Sequence, residues 1–283
     1  MKPSSFKVVS PRTVEEAITA LIESGESGKL LAGGQSLVPM LNFRLIDAPL
    51  FVDINGIAEL SGISKNNRGL QIGALTRHYE VETSELVKEY FPVLGEAMRF
   101  VGHIAIRNRG TIGGSLAHAD PAAEWPAIAQ LLDAELTIVG PTGSQSIPAR
   151  EFFIGPLATV LEASQILVSA EFPALPSGSG WGFEEMANRH GDFAVAGASA
   201  IVVKESERIV QARIVLFGVH DTPLRVTRAE TLLVTEGVDA AAAAAKCQVE
   251  PLNDLHGTAE YRRHLAEVLT RRVLHSAIKR AES

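Results

Sequence analysis

The first part of the chain alternates between helical and strand-like patterns of apolar residues. Thr13 and Glu16 have the spacing of a capping box, in which two side chains bond backbone amides at the start of a helix. Apolar residues then recur at helical spacing as far as Gly25, at Ala17, Ile18, Leu21 and Ile22. Short apolar runs at 29–32 and 50–54 have the length of buried strands. This alternation predicts a parallel or mixed sheet.

The middle of the chain mixes strands and helices. The predicted elements are strands at 60–63 and 70–73, a helix over 91–101, a helix from Pro121 to Leu132, a hairpin over 135–147 and a strand at 165–171. Pro121 suits the first turn of its helix, because the N–H group that proline lacks has no partner there.

The last third of the chain has the pattern of a separate domain. Small residues from Leu175 to Gly180 suggest a flexible linker. Three strand-like runs and two helical stripes follow it, at 181–186, 193–203, 208–219, 238–247 and 258–280. Strands with short turns between them predict an antiparallel sheet, covered here by helices. We therefore expect three parts with the boundaries 1–57, 58–175 and 176–283.

Composition limits the location and the partners. The 283 residues carry a formal charge of −7, which gives no electrostatic support for a nucleic-acid or anionic-membrane partner. No apolar run approaches the roughly 20 residues of a membrane span, and the first residues lack the apolar stretch of a signal peptide. Cys247 is the one cysteine, whereas an iron–sulfur cluster needs about four ligands. We expect a cytoplasmic protein without a cluster of its own.

Two segments share a Gly-Gly-polar pattern, Ala32–Leu37 and Thr111–Pro126. Glycine lets the backbone approach an oxyanion closely, so that successive N–H groups bind a phosphate without any cation. Gln35, Ser36 and Ser115 would add side-chain donors. Either pair alone is explained by a tight turn, whereas two such pairs in one chain favour a bound diphosphate.

Other chemistry has little support. The Rossmann fingerprint, the Walker A loop and the nucleophile elbow are absent, and Gly178–Gly182 precedes a predicted strand instead of a helix. The histidines do not form the pairs typical of zinc sites. His118 and Asp120 have the spacing of an acid–base pair, but their glycine-rich surroundings favour ligand positioning at least as well. We predict no metal site and no general acid or base.

These segments resemble the FAD-binding subunit of the molybdenum hydroxylases, a family that includes the medium subunit of carbon monoxide dehydrogenase and the flavin domain of xanthine dehydrogenase. The resemblance rests on Ala32–Leu37, Thr111–Ser115, Ala117–Pro121 and Arg189–Ala194, and it covers nearly the whole chain. It implies an α+β fold, with a two-part FAD-binding region of the vanillyl-alcohol-oxidase (PCMH) type followed by a C-terminal α+β flavoprotein domain with a small antiparallel sheet.

The resemblance also implies which residues contact FAD. The first glycine segment would cradle the diphosphate, and the second would lie along its diphosphate and ribityl side. Glu124 would accept hydrogen bonds from sugar hydroxyls, Val101 would contact the cofactor through its backbone, and Ile166 and Leu167 would lie at the adenine end. The full predicted set is Ala32, Gly33, Gly34, Gln35, Ser36, Val101, Thr111, Ile112, Gly113, Gly114, Ser115, His118, Glu124, Ile166, Leu167 and Phe193.

The motif at 189–194 leaves alternatives open. Relatives place an aromatic residue against the flavin ring where this chain has Phe193, which would cover one face of the ring. The alternative is a core aromatic of the sheet, and Arg189 and Asp192 would then form a structural ion pair. Some relatives carry a lysine just before this motif; this chain has Glu184 and Glu185 there, so no role is transferred to them.

The function that the resemblance implies is electron transfer. FAD would receive electrons from [2Fe-2S] clusters on a small subunit, after a large molybdopterin subunit has oxidised the substrate, and would pass them to NAD⁺, oxygen, a quinone or another acceptor. The subunits would assemble as a dimer of heterotrimers, and the large subunit would select the substrate. Two alternatives stay open: a free-standing FAD-dependent oxidase of the vanillyl-alcohol-oxidase type, and a non-catalytic nucleotide-binding module that regulates a partner.

Overall fold

The computed structural model describes residues 2–25 and 27–281, and its elements are numbered here in chain order. The strands are β1 (Lys7–Val9), β2 (Lys29–Leu31), β3 (Leu50–Asp53), β4 (Ile63–Lys65), β5 (Gly69–Gly73), β6 (Glu135–Gly140), β7 (Gly143–Pro148), β8 (Phe153–Gly155), β9 (Ala158–Thr159), β10 (Ile166–Pro173), β11 (Ser179–Met186), β12 (Ala196–Glu205), β13 (Arg208–Phe217) and β14 (Leu224–Arg225). The helices are α1 (Val14–Glu23), α2 (Leu37–Asn42), α3 (His78–Thr83), α4 (Glu85–Tyr90), α5 (Pro92–Met98), α6 (Ile104–Arg107), α7 (Ile112–His118), α8 (Glu124–Leu131), α9 (Ala149–Phe152), α10 (Thr227–Thr235), α11 (Val238–Gln248) and α12 (Ala259–Ala281).

The first part is a small parallel sheet in the order β1-β3-β2, with α1 packed against it. The predicted capping residues start α1. Thr13 Oγ1 accepts a hydrogen bond from the Glu16 amide at 3.2 Å, and Glu16 Oε2 accepts one from the Arg12 amide at 2.7 Å. Ile22, which the helical spacing placed with the core residues, is 51% exposed. The predicted helix and the parallel sheet are confirmed.

The second part is built on an antiparallel sheet in the order β4-β5-β10-β6-β7. The predicted hairpin is β6 and β7, which pair in register from Glu135 with Pro148 to Gly140 with Gly143. A large apolar core lies between this sheet and the helices of the same part, and it encloses the rings of Phe91, Phe172 and Trp125. The strand predicted at 60–63 begins only at Ile63, because residues 58–60 form a turn of 3₁₀ helix.

The segment from Thr111 to Pro126 differs from the prediction. Its glycines lie in the first turn of α7, where the sequence suggested a loop. α7 ends at Ala119, whose left-handed backbone (φ 53°) reverses the chain. Asp120 Oδ1 then accepts a hydrogen bond from the amide two residues further on, at 2.9 Å, which closes a tight turn. As a result Pro121 lies in this turn, and α8 begins only at Glu124.

The third part is an antiparallel sheet in the order β11-β12-β13-β14, as predicted. Helices α10, α11 and α12 pack against one face of it through an apolar core. The other face meets the second part through Phe183, whose ring lies 5.6 Å from that of Phe217 and 5.3 Å from that of Phe100. The fold is therefore α+β. Within the described residues, no helix combines the length and the hydropathy needed to cross a bilayer.

The predicted linker is shorter than its sequence suggested. Ser179 and Gly180 already belong to β11. A Cβ atom on Gly180 or Gly182 would collide with the carbonyl oxygens of Ala277 and Val273 in α12. These glycines therefore let a strand and a helix approach closely, and they do not add flexibility. The three larger sheets fall within 1–57, 58–175 and 176–283, and the two-stranded sheet of β8 and β9 lies within 58–175. We keep this division as a proposal.

Candidate functional site

The first glycine pair follows β2 in a turn that two side chains hold in place. Gly34 has a left-handed backbone (φ +72°), which glycine adopts without steric cost. Asn55 Nδ2 donates to the Ala32 carbonyl at 2.8 Å, and Arg77 Nη2 donates to Asn55 Oδ1 at 2.7 Å. The turn is thus fixed from the second part of the molecule as well as from the first.

Successive backbone N–H groups in this turn have no protein partner. Among the described residues, no acceptor bonds the amides of 33–37, and the Ser36 hydroxyl does not cap α2. The Gln35 side chain is not the free donor that the sequence suggested, because its Nε2 donates to the Gly33 carbonyl at 2.9 Å. A run of unpaired amides carries positive partial charge and is a fitting partner for an oxyanion. The residues present therefore fit a diphosphate.

The second glycine pair has amides that are already bonded within the protein. Thr111 is the N-cap of α7, and its Oγ1 accepts from the Gly114 amide at 3.1 Å. The Gly113 amide donates to the Ala74 carbonyl at 2.8 Å, and the Ser115 amide donates to the Thr111 carbonyl at 3.0 Å. The expected nest of free amides is wrong for this segment. The hydroxyl groups of Thr111 and Ser115 are the donors that it retains.

The two glycine pairs, far apart in sequence, lie together in the structure. A Cβ atom on Gly33 would collide with the Arg109 carbonyl oxygen and would lie 2.9 Å from the Gly110 Cα. A Cβ atom on Gly114 would lie 3.9 Å from the Ala32 Cβ. The Arg77 guanidinium also donates to the Arg109 carbonyl. The two pairs therefore lie side by side, as a shared site requires, and the binding of one ligand by both stays a prediction.

Glu124 is a buried carboxyl group at the first residue of α8, and only 7% of it is exposed. Burial raises the pKa of Glu124 to about 7; a hydrogen bond from its own backbone amide opposes the shift, and the charge of Asp120 adds to it. Asp120 itself closes the turn before α8, and no hydrogen bond joins it to His118 among the described residues. The arrangement suits an acceptor for hydroxyl groups better than an acid–base pair.

Phe193 lies on the surface, in the turn before β12, and is 58% exposed. The alternative of a core aromatic is therefore wrong. Phe193 lines a cavity of about 650 Å³ between Pro121–Ala122 of the second part and the third part of the molecule. Arg189 and Asp192 are joined through the backbone, with the Asp192 amide 3.1 Å from the Arg189 carbonyl, and no ion pair links their described side chains.

Comparisons with known proteins agree with this geometry. The model of the FAD-binding domain in molybdopterin dehydrogenase matches residues 4–175, and the carbon monoxide dehydrogenase flavoprotein C-terminal domain matches residues 181–277. The chain belongs to this flavoprotein family. The 6-hydroxypseudooxynicotine dehydrogenase complex subunit alpha of Paenarthrobacter nicotinovorans is 41% identical over 99% of this chain and 97% of its own length.

Two solved structures have the same fold over their whole length. One is a carbon monoxide dehydrogenase of Hydrogenophaga pseudoflava, with a TM-score of 0.97 and 37% identity over 99% of both chains. The other is quinoline 2-oxidoreductase of Pseudomonas putida 86, with a TM-score of 0.96 and 36% identity over 100% of both chains. The FAD-binding (PCMH-type) region and the C-terminal domain expected for the flavoprotein family are thus confirmed, and FAD is the cofactor that the family binds.

The other residues predicted for this flavoprotein are less directly placed. The side chains of Ile166 and Leu167 are buried in separate apolar cores, so only their backbone is available to a ligand. The Val101 carbonyl already accepts from Arg107 Nη1 at 3.3 Å. His118, the last residue of α7, is half-buried. Contacts of these residues with FAD stay predictions.

Three residues that no sequence motif distinguishes hold the site together. Asn55 and Arg77 fix the first turn, as described above. His78 is buried; its Nδ1 accepts from Trp125 Nε1 at 2.8 Å, and its amide donates to the carbonyl that precedes Thr111 at 3.1 Å. Burial, assisted by the charges of Arg107 and Arg77, lowers the pKa of His78 to about 3. A neutral His78 thus ties the second glycine segment to α8.

Proposed function

We propose that this chain carries electrons through FAD within a molybdenum-dependent hydroxylase or dehydrogenase. When it is bound, FAD supplies the redox chemistry, and the protein supplies binding and orientation. The observation that carries the proposal is the run of unpaired amides at 33–37, placed against the second glycine pair. It explains without any cation how a chain with a net charge of −7 holds a diphosphate.

Each group of the site has one task in this proposal. The amides of 33–37 bond the diphosphate, and the hydroxyls of Thr111 and Ser115 add donors beside it. Glu124 accepts hydrogen bonds from sugar hydroxyls, because its carboxyl group is buried and no other described residue donates to it. Phe193, exposed at the cavity beside Pro121, covers the flavin ring.

Partner chains complete the electron path in this proposal. Electrons arrive from [2Fe-2S] clusters on a small subunit, which a large molybdopterin subunit reduces, and they leave to an external acceptor. The name of the relative from Paenarthrobacter nicotinovorans, a dehydrogenase complex subunit, supports such partners. The subunits form a dimer of heterotrimers in the cytoplasm, and the large subunit selects the substrate.

The test uses the complex purified with its small and large subunits. Dithionite reduces the iron–sulfur clusters, and NAD⁺, a soluble quinone or oxygen is then added in separate runs. We expect at least one acceptor to reoxidise the clusters quickly in the FAD-loaded complex and slowly after FAD is stripped, and added FAD should restore the rate. Equal reoxidation of loaded and stripped complexes by every acceptor would contradict the proposal.

A second measurement separates this function from a free-standing oxidase. The FAD-loaded chain alone is mixed with aromatic alcohols and N-heterocycles, and the flavin absorbance is followed without oxygen. The proposal expects no bleaching of the flavin by any of these compounds. Rapid bleaching by one of them would favour the free-standing oxidase, and a chain that takes up no FAD would favour neither flavin function.

A further inference from the structure

The loop between β11 and β12, residues 187–195, packs against the FAD-binding region, and we call it the Phe193 loop. A Cβ atom on Gly191 would lie 2.9 Å from His103 Cε1 and 3.1 Å from the Gly102 carbonyl carbon. Glycine therefore permits a close approach at this point. Gly102 directly follows a residue that the sequence predicted to contact FAD. The Phe193 loop is thus in contact with the part of the molecule where FAD is expected.

Arg262 of α12 holds the C-terminal end of this loop. Its Nη1 atom donates to the Val195 carbonyl and to the Gly218 carbonyl, the latter at 2.7 Å. The Gly218 amide in turn donates at 2.8 Å to the carbonyl of Pro121, which lies in the turn before α8. One guanidinium group therefore joins the Phe193 loop to a backbone link between the C-terminal domain and the FAD-binding region.

Asp254 orients this guanidinium group. Its Oδ2 atom accepts from Arg262 Nη2, and its Oδ1 atom accepts from the amides of His256 and Gly257 at 2.8 and 3.0 Å. The hydrogen bond from Arg262 does most to lower the pKa of Asp254 to about 2, while burial opposes the shift, so the pair is charged at neutral pH. The same segment also bonds the start of the Phe193 loop, because His256 Nδ1 and Asn188 Nδ2 are hydrogen-bonded at 2.8 Å.

Stability alone gives little reason for a charge at this position. Arg262 is only 6% exposed, and its buried Nε atom has no partner among the described residues. Replacing buried charged side chains by apolar ones of similar volume is often neutral or stabilising. An apolar side chain, however, cannot donate to two carbonyl groups on separate segments. The arrangement therefore favours a role in fixing the position of the loop.

We propose that Arg262 is a positioning residue, which keeps the Phe193 loop closed against the FAD-binding region so that Phe193 stays beside the bound flavin. Arg262 and Phe193 line the same cavity, and the bond at Val195 lies two residues from Phe193. The C-terminal domain thereby limits the exposure of the flavin to water and to acceptors. This inference rests on the proposed function, because it assumes that Phe193 covers the flavin.

The first experiment follows the loop in the absence of FAD. Hydrogen exchange of the FAD-free, full-length chain is measured by mass spectrometry for the wild type, Arg262→Met and Arg263→Met. Arg263 is the exposed next residue of α12, so its variant is the matched control. Arg262→Met should raise the exchange rate of residues 187–195 about tenfold, as expected when a hydrogen bond from a charged group is lost. Exchange in α10, which belongs to the same domain, should not change.

The second experiment asks whether Arg262 acts through Phe193. The Kd for FAD and the visible circular dichroism of bound FAD are measured for Arg262→Met, Phe193→Ala and the double variant. Each single variant should raise the Kd severalfold and change the dichroism in the same direction. The double variant should bind no more weakly than the weaker single variant, because changes to one shared contact do not add. Arg262→Lys keeps the charge without the planar fork and should recover only part of the affinity.

The outcomes separate this inference from the proposed function. Unchanged exchange of residues 187–195 in Arg262→Met, or an equal rise in Arg263→Met, would overturn the role of Arg262. A rise that extended equally to α10 would overturn it too, since Arg262 would then stabilise the whole domain. Additive losses in the double variant would contradict an action through Phe193.

Two further outcomes have a defined meaning. If Arg262→Met does not fold, Arg262→Lys replaces it in both experiments, and unchanged exchange of residues 187–195 in that variant counts against the role equally. A wild-type chain that takes up no FAD would overturn the proposed function and the role of Arg262 at the flavin. The exchange experiment would still decide whether Arg262 holds the loop.

Discussion

The two glycine pairs have similar sequences and opposite hydrogen-bonding states. After β2, the amides of 33–37 have no acceptor among the described residues. At the start of α7, the amides of Gly113 and Gly114 donate to the Ala74 carbonyl and to Thr111 Oγ1. The first pair therefore presents donors to a ligand, whereas the second allows segments of the protein to approach one another. A Gly-Gly-polar pattern alone does not reveal which of these roles a pair has.

The difference has a local cause in the residue before each helix. Thr111 has an extended backbone (φ −124°, ψ 150°), which lets its hydroxyl reach back over the first turn. Ser36 has a helical backbone (φ −98°, ψ −46°) and makes no such bond. A residue with a side-chain hydroxyl thus caps α7 but does not cap α2. The free amides at an uncapped helix start lower stability unless water or a ligand supplies the acceptors.

Gly33→Val should have the largest effect, because it adds a side chain where the two glycine pairs lie against each other. The added Cβ would collide with the Arg109 carbonyl and approach the Gly110 Cα, and backbone atoms do not rotate away as a side chain does. We expect the variant to lose FAD completely, measured as the ratio of flavin to protein after gel filtration. Gly95→Ala in α5 is the control, since a Cβ there meets nothing within 4 Å. Full FAD occupancy in a folded Gly33→Val would refute the shared site.

Sequence patterns predicted the features that depend on neighbouring residues. The cap of α1 at Thr13 and the hairpin of β6 and β7 follow from local spacing, and both were found. The helix expected at Pro121 begins later, because Asp120 bonds a nearby amide and closes a turn first. Aspartate is common in turns, so the sequence allowed either a turn or a helix start at this point. It did not show which of the two would form.

Features that depend on distant contacts were beyond sequence reasoning. Asn55 and Arg77 hold the first turn through bonds that join separate parts of the chain. No motif distinguishes Arg262 within α12, and its proposed role follows only from its bonds to the distant carbonyls of Val195 and Gly218. The distinction between free and bonded amides likewise depends on Ala74, which lies far from the glycines in sequence.

Acid should lower the stability of the protein by protonating His78, which ties the second glycine segment to α8. The folded protein keeps His78 neutral, with a pKa of about 3, whereas the unfolded chain takes up the proton near the ordinary value of 6.5. The unfolded state therefore binds more protons between these values, and stability falls as pH drops through this range. The loss at pH 5 should be about 2 kcal/mol, at roughly 1.4 kcal/mol for each pH unit below 6.5.

The measurement is the free energy of unfolding in urea at pH 7 and pH 5, for the FAD-free wild type and for His78→Asn. Asparagine offers an acceptor to Trp125 Nε1 but does not titrate, so the difference between the two proteins isolates His78. Glu124 and Glu185, whose pKa values are raised, act in the opposite direction and cancel in this difference. An unchanged difference between pH 7 and pH 5 would show that His78 is not kept neutral by the fold.

The smallest expected effects come from Thr111 and Ser36, the residues that precede α7 and α2. Substitution of Thr111 should lower stability, whereas substitution of Ser36 should lower FAD affinity. Thr111→Ala removes the bond from the Gly114 amide and should lower the stability of the FAD-free protein by about 1 kcal/mol, whereas Thr111→Ser should restore it. Ser36→Ala removes no cap and should stay within about 0.5 kcal/mol of the wild type. Its FAD affinity should nevertheless fall severalfold, since the hydroxyl is free for the ligand. If Ser36→Ala instead destabilised the FAD-free protein as much as Thr111→Ala, Ser36 would cap α2 as Thr111 caps α7. The proposed difference between the two glycine pairs would then be refuted.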